Sequence, residues 1–439
     1  MFKNTDLISV SKLFFFVFLI TFISCNGKND QGKDQAVLTG KPSKEIIVAA
    51  NRTEEYLPLL KGKRVAIVAN QTSVIFTGRK SEVESQKSKV ESRKSKVESQ
   101  KLESKTSGNN SYVHLVDSLI SLNINIVKVF APEHGFRGKA DAGEHVKDDI
   151  DTKTGLSIVS LFGKNRKPSP ELLEDVDVVL FDIQDVGVRF YTYISTMSNV
   201  METCAEKNVP MIVLDRPNPN GHYIDGPTLE PEHSSFVGMH PIPLVYGMTI
   251  GEYAQMVNGE KWLKDGIQCN ITVIPLLNYD HKSEYSLPVR PSPNLPNDKS
   301  INLYPSLGFF EGTIINAGRG TEFQFQRYGA PFFPKTDFSY TPKPNFGSKH
   351  PKFEGKLCYG VDLSQHPKMN KVDISFVVDA YNKTPKDKEF FGKTFTIHAG
   401  TLKLREQIEA GMSPENIHKG WQKDIEKFKK VRAKYLIYK

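Results

Sequence analysis

Short apolar runs of strand length, each ending in a cluster of polar residues, constrain this chain more than any other feature of its sequence. They lie at Lys63–Asn70, Asn125–Ala131, Leu156–Phe162, Val176–Ile183 and Val209–Asp215. Nearly continuous apolar strands are buried on both faces, since an exposed face would show alternating polar residues. Helical patterns separate several of them. Tyr112, Leu115, Val116, Leu119 and Ile120 recur at the helical period, and Tyr193 to Glu206 repeats the pattern. This alternation predicts right-handed βαβ units, hence an α/β fold with a Rossmann-like parallel sheet covered by helices on both sides. In such a sheet, ligands bind beyond the carboxyl ends of the strands.

Downstream, Thr249 and Glu252 have capping-box spacing at the start of a helix running to about Trp262, followed by a strand at Ile271–Leu276. A Pro-rich passage from Pro288 to Pro305 then leads into a smaller α/β lobe. Ser413 and Pro414 open the last helix, with Ile417, Trp421, Ile425 and Phe428 on one stripe. The expected organisation is a Rossmann-like catalytic lobe over 51–285 and a C-terminal α/β lobe over 286–439 that completes a cleft. At 439 residues the chain exceeds what one hydrophobic core usually organises.

Residues 1–25 depart from this pattern. Lys3 and Lys12 precede an apolar run from Leu13 to Ile23, and Ser24 stands directly before Cys25. The run falls short of the roughly 20 apolar residues a membrane span needs. This is the pattern of a lipoprotein signal peptide, with Cys25 the lipid-attachment residue and 26–50 a tether. A plain secretory signal with an incidental cysteine is the alternative. The expected location is the cell envelope, lipid-anchored, periplasmic or outer-membrane. Cys204, Cys269 and Cys358 then remain, an odd number without metal-type spacing, and Cys204 shares a helical face with Ile194, Met197 and Met201.

The net charge of +8 does not point to a nucleic-acid partner, because much of it sits in one place. Nine Lys or Arg against five Glu lie between Arg79 and Lys105, within a low-complexity insert over 79–108. Its heptads carry one apolar residue each, too few for a coiled-coil seam, so the insert is expected to be solvated and without chemistry.

The polar residues gather at the strand ends. The first strand runs into Asn70 and Gln71, the second into Pro132-Glu133-His134-Gly135, the fourth into Gln184 and Asp185, and the fifth into Arg216 and Asn218. No Gly-x-Gly-x-x-Gly follows the first strand, so no dinucleotide or other cofactor is expected. Glu133 with His134 and Glu144 with His145 form two Glu-His pairs in a Gly-punctuated loop that also holds Arg137. They suit a general acid with its substrate contacts, a zinc or iron site, or a loop that only satisfies its own backbone. Gln184, Asp185, Arg189, Tyr191 and Tyr193 mix polar forks with aromatic faces, as sugar sites do, while Asp182, inside the strand, is expected to be structural. In the second lobe, Glu311 precedes Arg319, whose flanking Gly318 and Gly320 would let a ligand approach; a Gly-rich hairpin with a solvent-facing Arg is the alternative.

Five ordered blocks carry a resemblance: Val65 to Ser73, Phe130 to Gly138, Asp182 to Tyr193, Leu214 to Pro219, and Glu311 to Thr313 with Gly318 to Thr321. Together they resemble the exo-β-N-acetylmuramidases, from about Leu60 to the C-terminus. The heptad insert is the main departure. The resemblance implies a glycoside hydrolase that releases N-acetylmuramic acid from the non-reducing end of peptidoglycan fragments, in a cleft between a Rossmann-like lobe and a smaller lobe. It puts Glu133 first as the catalytic acid. Glycoside cleavage usually needs a second carboxylate, and Glu144, Asp185 and Glu311 are the candidates in that order, unless the substrate's N-acetyl group assists. Muramic acid carries a lactyl carboxylate, which calls for a cation, and Arg319 is the favoured clamp among Arg137, Arg189, Arg216 and Arg319. Asn70, Gln71, His134, His145, Gln184, Tyr191, Tyr193 and Asn218 complete the expected substrate contacts. The rival readings are a metal-dependent cell-wall hydrolase, with His134 and His145 as ligands, and a lipoprotein that binds muropeptides without cutting them.

Overall fold

The seven-stranded central sheet follows from the apolar runs almost one for one. In this computed structural model, which describes residues 44–77, 111–138 and 148–439, the strands are β1 (Val65–Ala69), β4 (Ile126–Ala131), β5 (Asp149–Ile150), β6 (Ser157–Ser160), β7 (Val178–Asp182), β8 (Met211–Leu214) and β9 (Ile271–Ile274). Their order is β5-β6-β4-β1-β7-β8-β9. All neighbours are parallel except the short edge strand β5, which runs antiparallel to β6. The leader, Cys25, most of the tether, the heptad insert, Glu144 and His145 lie outside the described residues.

The two faces of β1 enter different hydrophobic clusters. Ala66 and Val68 pack with Phe130, Phe181, Met197, Met201 and Cys204, whereas Val65, Ile67 and Ala69 pack with Leu119, Leu180, Leu214 and Tyr438. Strand geometry sends successive side chains to opposite faces, so a run with no polar break requires apolar cover on both. The helix Tyr193–Lys207 supplies it on one side, ended by Asn208 in the left-handed conformation, and Leu115–Ser121 on the other. The first cluster continues into the C-terminal part through Phe309, Phe310, Tyr328, Phe395 and Trp421. There a three-stranded antiparallel sheet, β10 (Arg327–Ala330), β12 (Cys358–Asp362) and β11 (Ser339–Tyr340), packs with short helices. The protein is thus α/β, and residues 45–439 form one compact unit.

One helical expectation is shifted. The chain between β1 and β4 first makes a ribbon, β2 (Val74–Thr77) against β3 (Ser111–His114), and Tyr112 pairs there with Phe76. The helix begins only at Leu115, after His114, whose side chain accepts the Val116 amide proton. Leu115 to Ile120 alone carries the helical period; Tyr112 is a strand-forming residue that finds a backbone partner first. The Thr249–Glu252 capping box and the Ser413 cap form as expected, although the former helix ends at Gly259. Among the described residues no helix is long and apolar enough to cross a membrane.

Candidate active site

A polar cavity of about 130 Å³ opens beyond the carboxyl ends of the strands. Glu133 and His134 reach it from the end of β4, Tyr191 and Tyr193 from the segment after β7, and Glu311 and Arg319 from the C-terminal part. These six were expected at the site. Phe190, Thr192, Ser292, Tyr304 and His398 line it as well and were not. No motif flags Ser292, Tyr304 or His398; they come from separate parts of the chain and only folding gathers them.

Glu133 sits in a tight turn, with the Gly135 amide donating to the Pro132 carbonyl at 3.0 Å. His134 has a φ of 72°, a left-handed conformation that a non-glycine residue adopts at a cost of order 1 kcal/mol. The Tyr193 hydroxyl donates to the Glu133 carbonyl at 3.4 Å. Burial first, then the charge of Glu133, raise the Tyr193 phenol well above its ordinary value, so it stays a neutral donor. Tyr191 stacks edge-on against Tyr193 at 4.9 Å, and Phe190 against Tyr304 at 5.1 Å, giving the cavity an aromatic wall.

Opposite stands an ion pair. Arg319 donates from Nε to Glu311 Oε1 at 3.0 Å and from Nη2 to Oε2 at 2.9 Å. Burial pushes the Glu311 carboxyl upward, but Arg319 and Lys352 outweigh it and hold the pKa below the ordinary value. Glu311 is therefore an anion at neutral pH and a poor proton donor. The same geometry limits Arg319: its Nε–Nη2 edge is occupied by Glu311. His398 Nδ1 lies 2.8 Å from the Thr394 carbonyl, which can only accept, so Nδ1 carries the proton and Nε2 is an acceptor. Burial lowers its pKa, which keeps the ring neutral.

The other expected contacts among the described residues make their hydrogen bonds within the protein. Arg189 is fully buried, with Nη1 donating to the Pro227 and Ile242 carbonyls at 2.6 and 2.9 Å and Nη2 to those of His398 and Ala399 at 3.2 and 2.6 Å. Arg216 grips Asp182 bidentately at 2.6 and 2.8 Å, both buried, which makes Asp182 structural as expected and removes Arg216 from the ligand. Arg137 is held by Asp117 and Asp151 at 2.9 and 2.7 Å. Asn70 accepts from Thr72, Gln184 donates to the Asp185 and Pro217 carbonyls, and Asn218 donates to the Met248 carbonyl. Gln71 and Tyr191 both donate to the Pro291 carbonyl, at 3.2 and 2.6 Å, and so position Ser292. Two reasons act: loops at the top of a buried sheet have backbone groups of their own to satisfy, and the carboxylates of Asp182, Asp117 and Asp151 take Arg216 and Arg137.

Asp185 is also displaced from the expected catalytic role. It does not line the cavity; its Oδ2 accepts from the Gly187 amide at 2.7 Å and from the Tyr246 hydroxyl, and Oδ1 is buried with no hydrogen-bond partner among the described residues. Burial pushes its pKa up to about 6. As for metals, the group among the described residues with converging ligand atoms is Glu230, Glu232 and His233, none of which lines the cavity.

Comparison with known proteins fits this geometry to a family. Family models for exo-β-N-acetylmuramidase NamZ match the chain in two consecutive parts, the N-terminal one over 102–299 and the C-terminal one over 302–438. The chain belongs to the exo-β-N-acetylmuramidase family. A peptidoglycan β-N-acetylmuramidase of this family from Bacillus subtilis (strain 168) is 38% identical, with 94% of each chain aligned. Two crystal structures of DUF1343 family proteins from Bacteroides fragilis NCTC 9343 share the fold. One has a TM-score of 0.76 at 41% identity and the other 0.70 at 28%, each covering 90% of this chain and 99% of the other. The fold of those two structures is therefore shared over 90% of this chain.

Proposed function

We propose that this protein is an exo-β-N-acetylmuramidase, a glycoside hydrolase that removes the terminal N-acetylmuramic acid from the non-reducing end of peptidoglycan fragments. One observation carries the reading: Glu133, an aromatic wall and the Glu311–Arg319 pair face one cavity at the strand ends. In this reading Glu133 protonates the leaving glycosidic oxygen. Glu311, kept ionised by Arg319 and Lys352, offers negative charge to the oxocarbenium-like transition state and orients Arg319. Arg319 receives the lactyl carboxylate, which glucosamine lacks. The aromatic rings take the apolar face of the sugar.

The test is direct: purified protein is incubated with a chromogenic β-N-acetylmuraminide and with the matching β-N-acetylglucosaminide, each with and without EDTA. Release from the muraminide alone, unaffected by EDTA, is expected. Loss with EDTA would favour the metal-dependent reading, and tight binding without release would favour a muropeptide-binding protein.

We propose also that Cys25 carries lipid and tethers the enzyme in the cell envelope, supported by the apolar run Leu13–Ile23 before Ser24 and Cys25. Globomycin should then leave a larger precursor, and Cys25→Ala should move the protein from the membrane to the soluble fraction. A wild-type protein that is already soluble would contradict this.

A further inference from the structure

Behind the wall that carries Glu311 lies a second cavity, of about 830 Å³, that the catalytic reading does not use. Thr313 and Ile314 line it, while Glu311, two residues earlier, lines the catalytic cavity. Lys352 locks this shared segment: its Nζ donates to the Phe310, Thr313 and Ile315 carbonyls at 2.8, 2.6 and 3.2 Å. The rest of the lining has a definite chemical character. Phe332 and Phe353 contribute aromatic rings, 5.8 Å apart and edge-on, and the charged groups are Lys352, Lys356 and Lys388 against Glu389. The Lys388 ammonium stands 5.5 Å over the Phe332 ring. Lys356 and Lys388 are exposed, whereas the protons of Lys352 are occupied by backbone carbonyls.

Aromatic faces bordered by ammonium groups suit a ligand with one apolar face and a carboxylate. A pyranose ring bearing an acidic substituent has both, the C–H face for the ring and the carboxylate for the lysines. Lys356 and Lys388 give the rim a surplus of positive charge over Glu389, which a carboxylate complements and a neutral or purely apolar ligand does not. We propose that this cavity is a second glycan-binding site, which holds a carboxylate-bearing muramyl sugar away from the scissile bond. The proposal rests on the exo-muramidase reading for the identity of the sugar. Its consequence is avidity: a glycan chain held at a second point dissociates less readily before it is cut, so chains are preferred over small substrates.

The experiment compares wild type with a double variant, Lys356→Glu and Lys388→Glu, on two substrates. A chromogenic monosaccharide muraminide fills the catalytic cavity alone; soluble peptidoglycan glycan strands with N-acetylmuramic acid at the non-reducing end reach both. The expected result is an unchanged kcat/KM on the monosaccharide and a KM on strands raised about tenfold, the size of one charge-assisted hydrogen bond replaced by repulsion. The single variant Lys388→Glu should give a smaller change in the same direction. Unchanged strand kinetics in both variants would overturn the proposal, as would equal losses on both substrates, which would place the effect in the catalytic cavity. Should wild type fail to cleave the monosaccharide, the catalytic reading falls instead. Strand binding by Glu133→Gln, with and without the lysine changes and against neutral chitin oligosaccharides, then decides the second site by itself. A lysine-dependent preference for the acidic strands supports it, and equal binding overturns it.

Discussion

His398 and Asp185 show how much a single side chain's surroundings decide. With its proton fixed on Nδ1 and its pKa lowered by burial, His398 presents Nε2 as an acceptor to whatever donor a sugar brings, a hydroxyl or the N-acetyl N–H. His398→Phe keeps the ring packed against Phe190 but removes the acceptor, and KM should rise about tenfold with kcat little changed, the worth of one buried hydrogen bond. An unchanged KM would remove His398 from the ligand. Asp185 acts on stability. Its folded pKa, about 6, exceeds the ordinary 3.8, so between these values the native state keeps a proton that the unfolded chain has released. The stability it contributes is present below the unfolded pKa and lost as pH rises through the folded one. Against Asp185→Asn, which does not titrate, wild type should lose up to about 3 kcal/mol as pH rises from about 4 to about 7, read by urea unfolding at each pH. A pH-independent difference would contradict the assignment. Neither residue's environment is legible in the sequence. Glu133 and Tyr193 are legible because they stand in blocks after strands, Glu311 and Arg319 because they stand in a Gly-punctuated block of the C-terminal part, and His398 is not because it stands in no block. Arg189 and Arg216 look like ligand contacts by local pattern, and only the packing assigns them to backbone carbonyls and to Asp182.

At the scale of elements, Arg189 joins two parts of the fold. Its guanidinium takes the His398 and Ala399 carbonyls at the end of the helix Phe395–Ala399, groups with no partner inside the helix, and Gly400 has no Cβ to block it: one would lie 2.6 Å from Nη2. Arg189→Met fills the same space without donors and leaves the Pro227, His398 and Ala399 carbonyls unpaired, while that of Ile242 keeps the Leu229 amide, so a loss of about 3 kcal/mol in stability is expected by urea unfolding. Because the same helix carries His398, KM should rise as well. A variant with wild-type stability would show that water replaces the guanidinium. Arg319→Lys is a companion probe at the other wall, keeping the charge and losing the fork. Glu311 would then be held by one donor instead of two, and the preference for muraminides over glucosaminides should narrow; an unchanged preference would remove Arg319 as the clamp. Elements themselves were legible where one period ran unbroken, as in β1, β7 and the Tyr193–Lys207 helix. The reading failed at Tyr112, where a strand and a helix meet within one apolar pattern and the partner strand, not the local period, decides.

For the whole molecule, the parallel sheet required both of its faces covered, and that cover is what brings the C-terminal part against the strand ends. The large cluster that starts at Ala66 and Val68 continues through Phe309 and Phe395 to Trp421, so Glu311 and Arg319 are delivered to Glu133 by the same packing that stabilises the sheet. The location of the site followed from the strand-end rule, since every residue pointing into it from the first half lies there. Its far wall did not, because Ser292, Tyr304 and His398 arrive through tertiary packing alone. The central claim is that this assembly makes Glu133 a general acid. Glu133→Gln preserves shape and hydrogen bonding but cannot donate a carboxyl proton, and its kcat is to be measured on a natural disaccharide with N-acetylmuramic acid at the non-reducing end and on an aryl muraminide whose leaving group departs without protonation. A fall of about 10²–10⁴-fold is expected on the disaccharide with binding retained, and a much smaller fall on the aryl substrate. Equal losses on both would contradict it and leave the acid to be sought elsewhere.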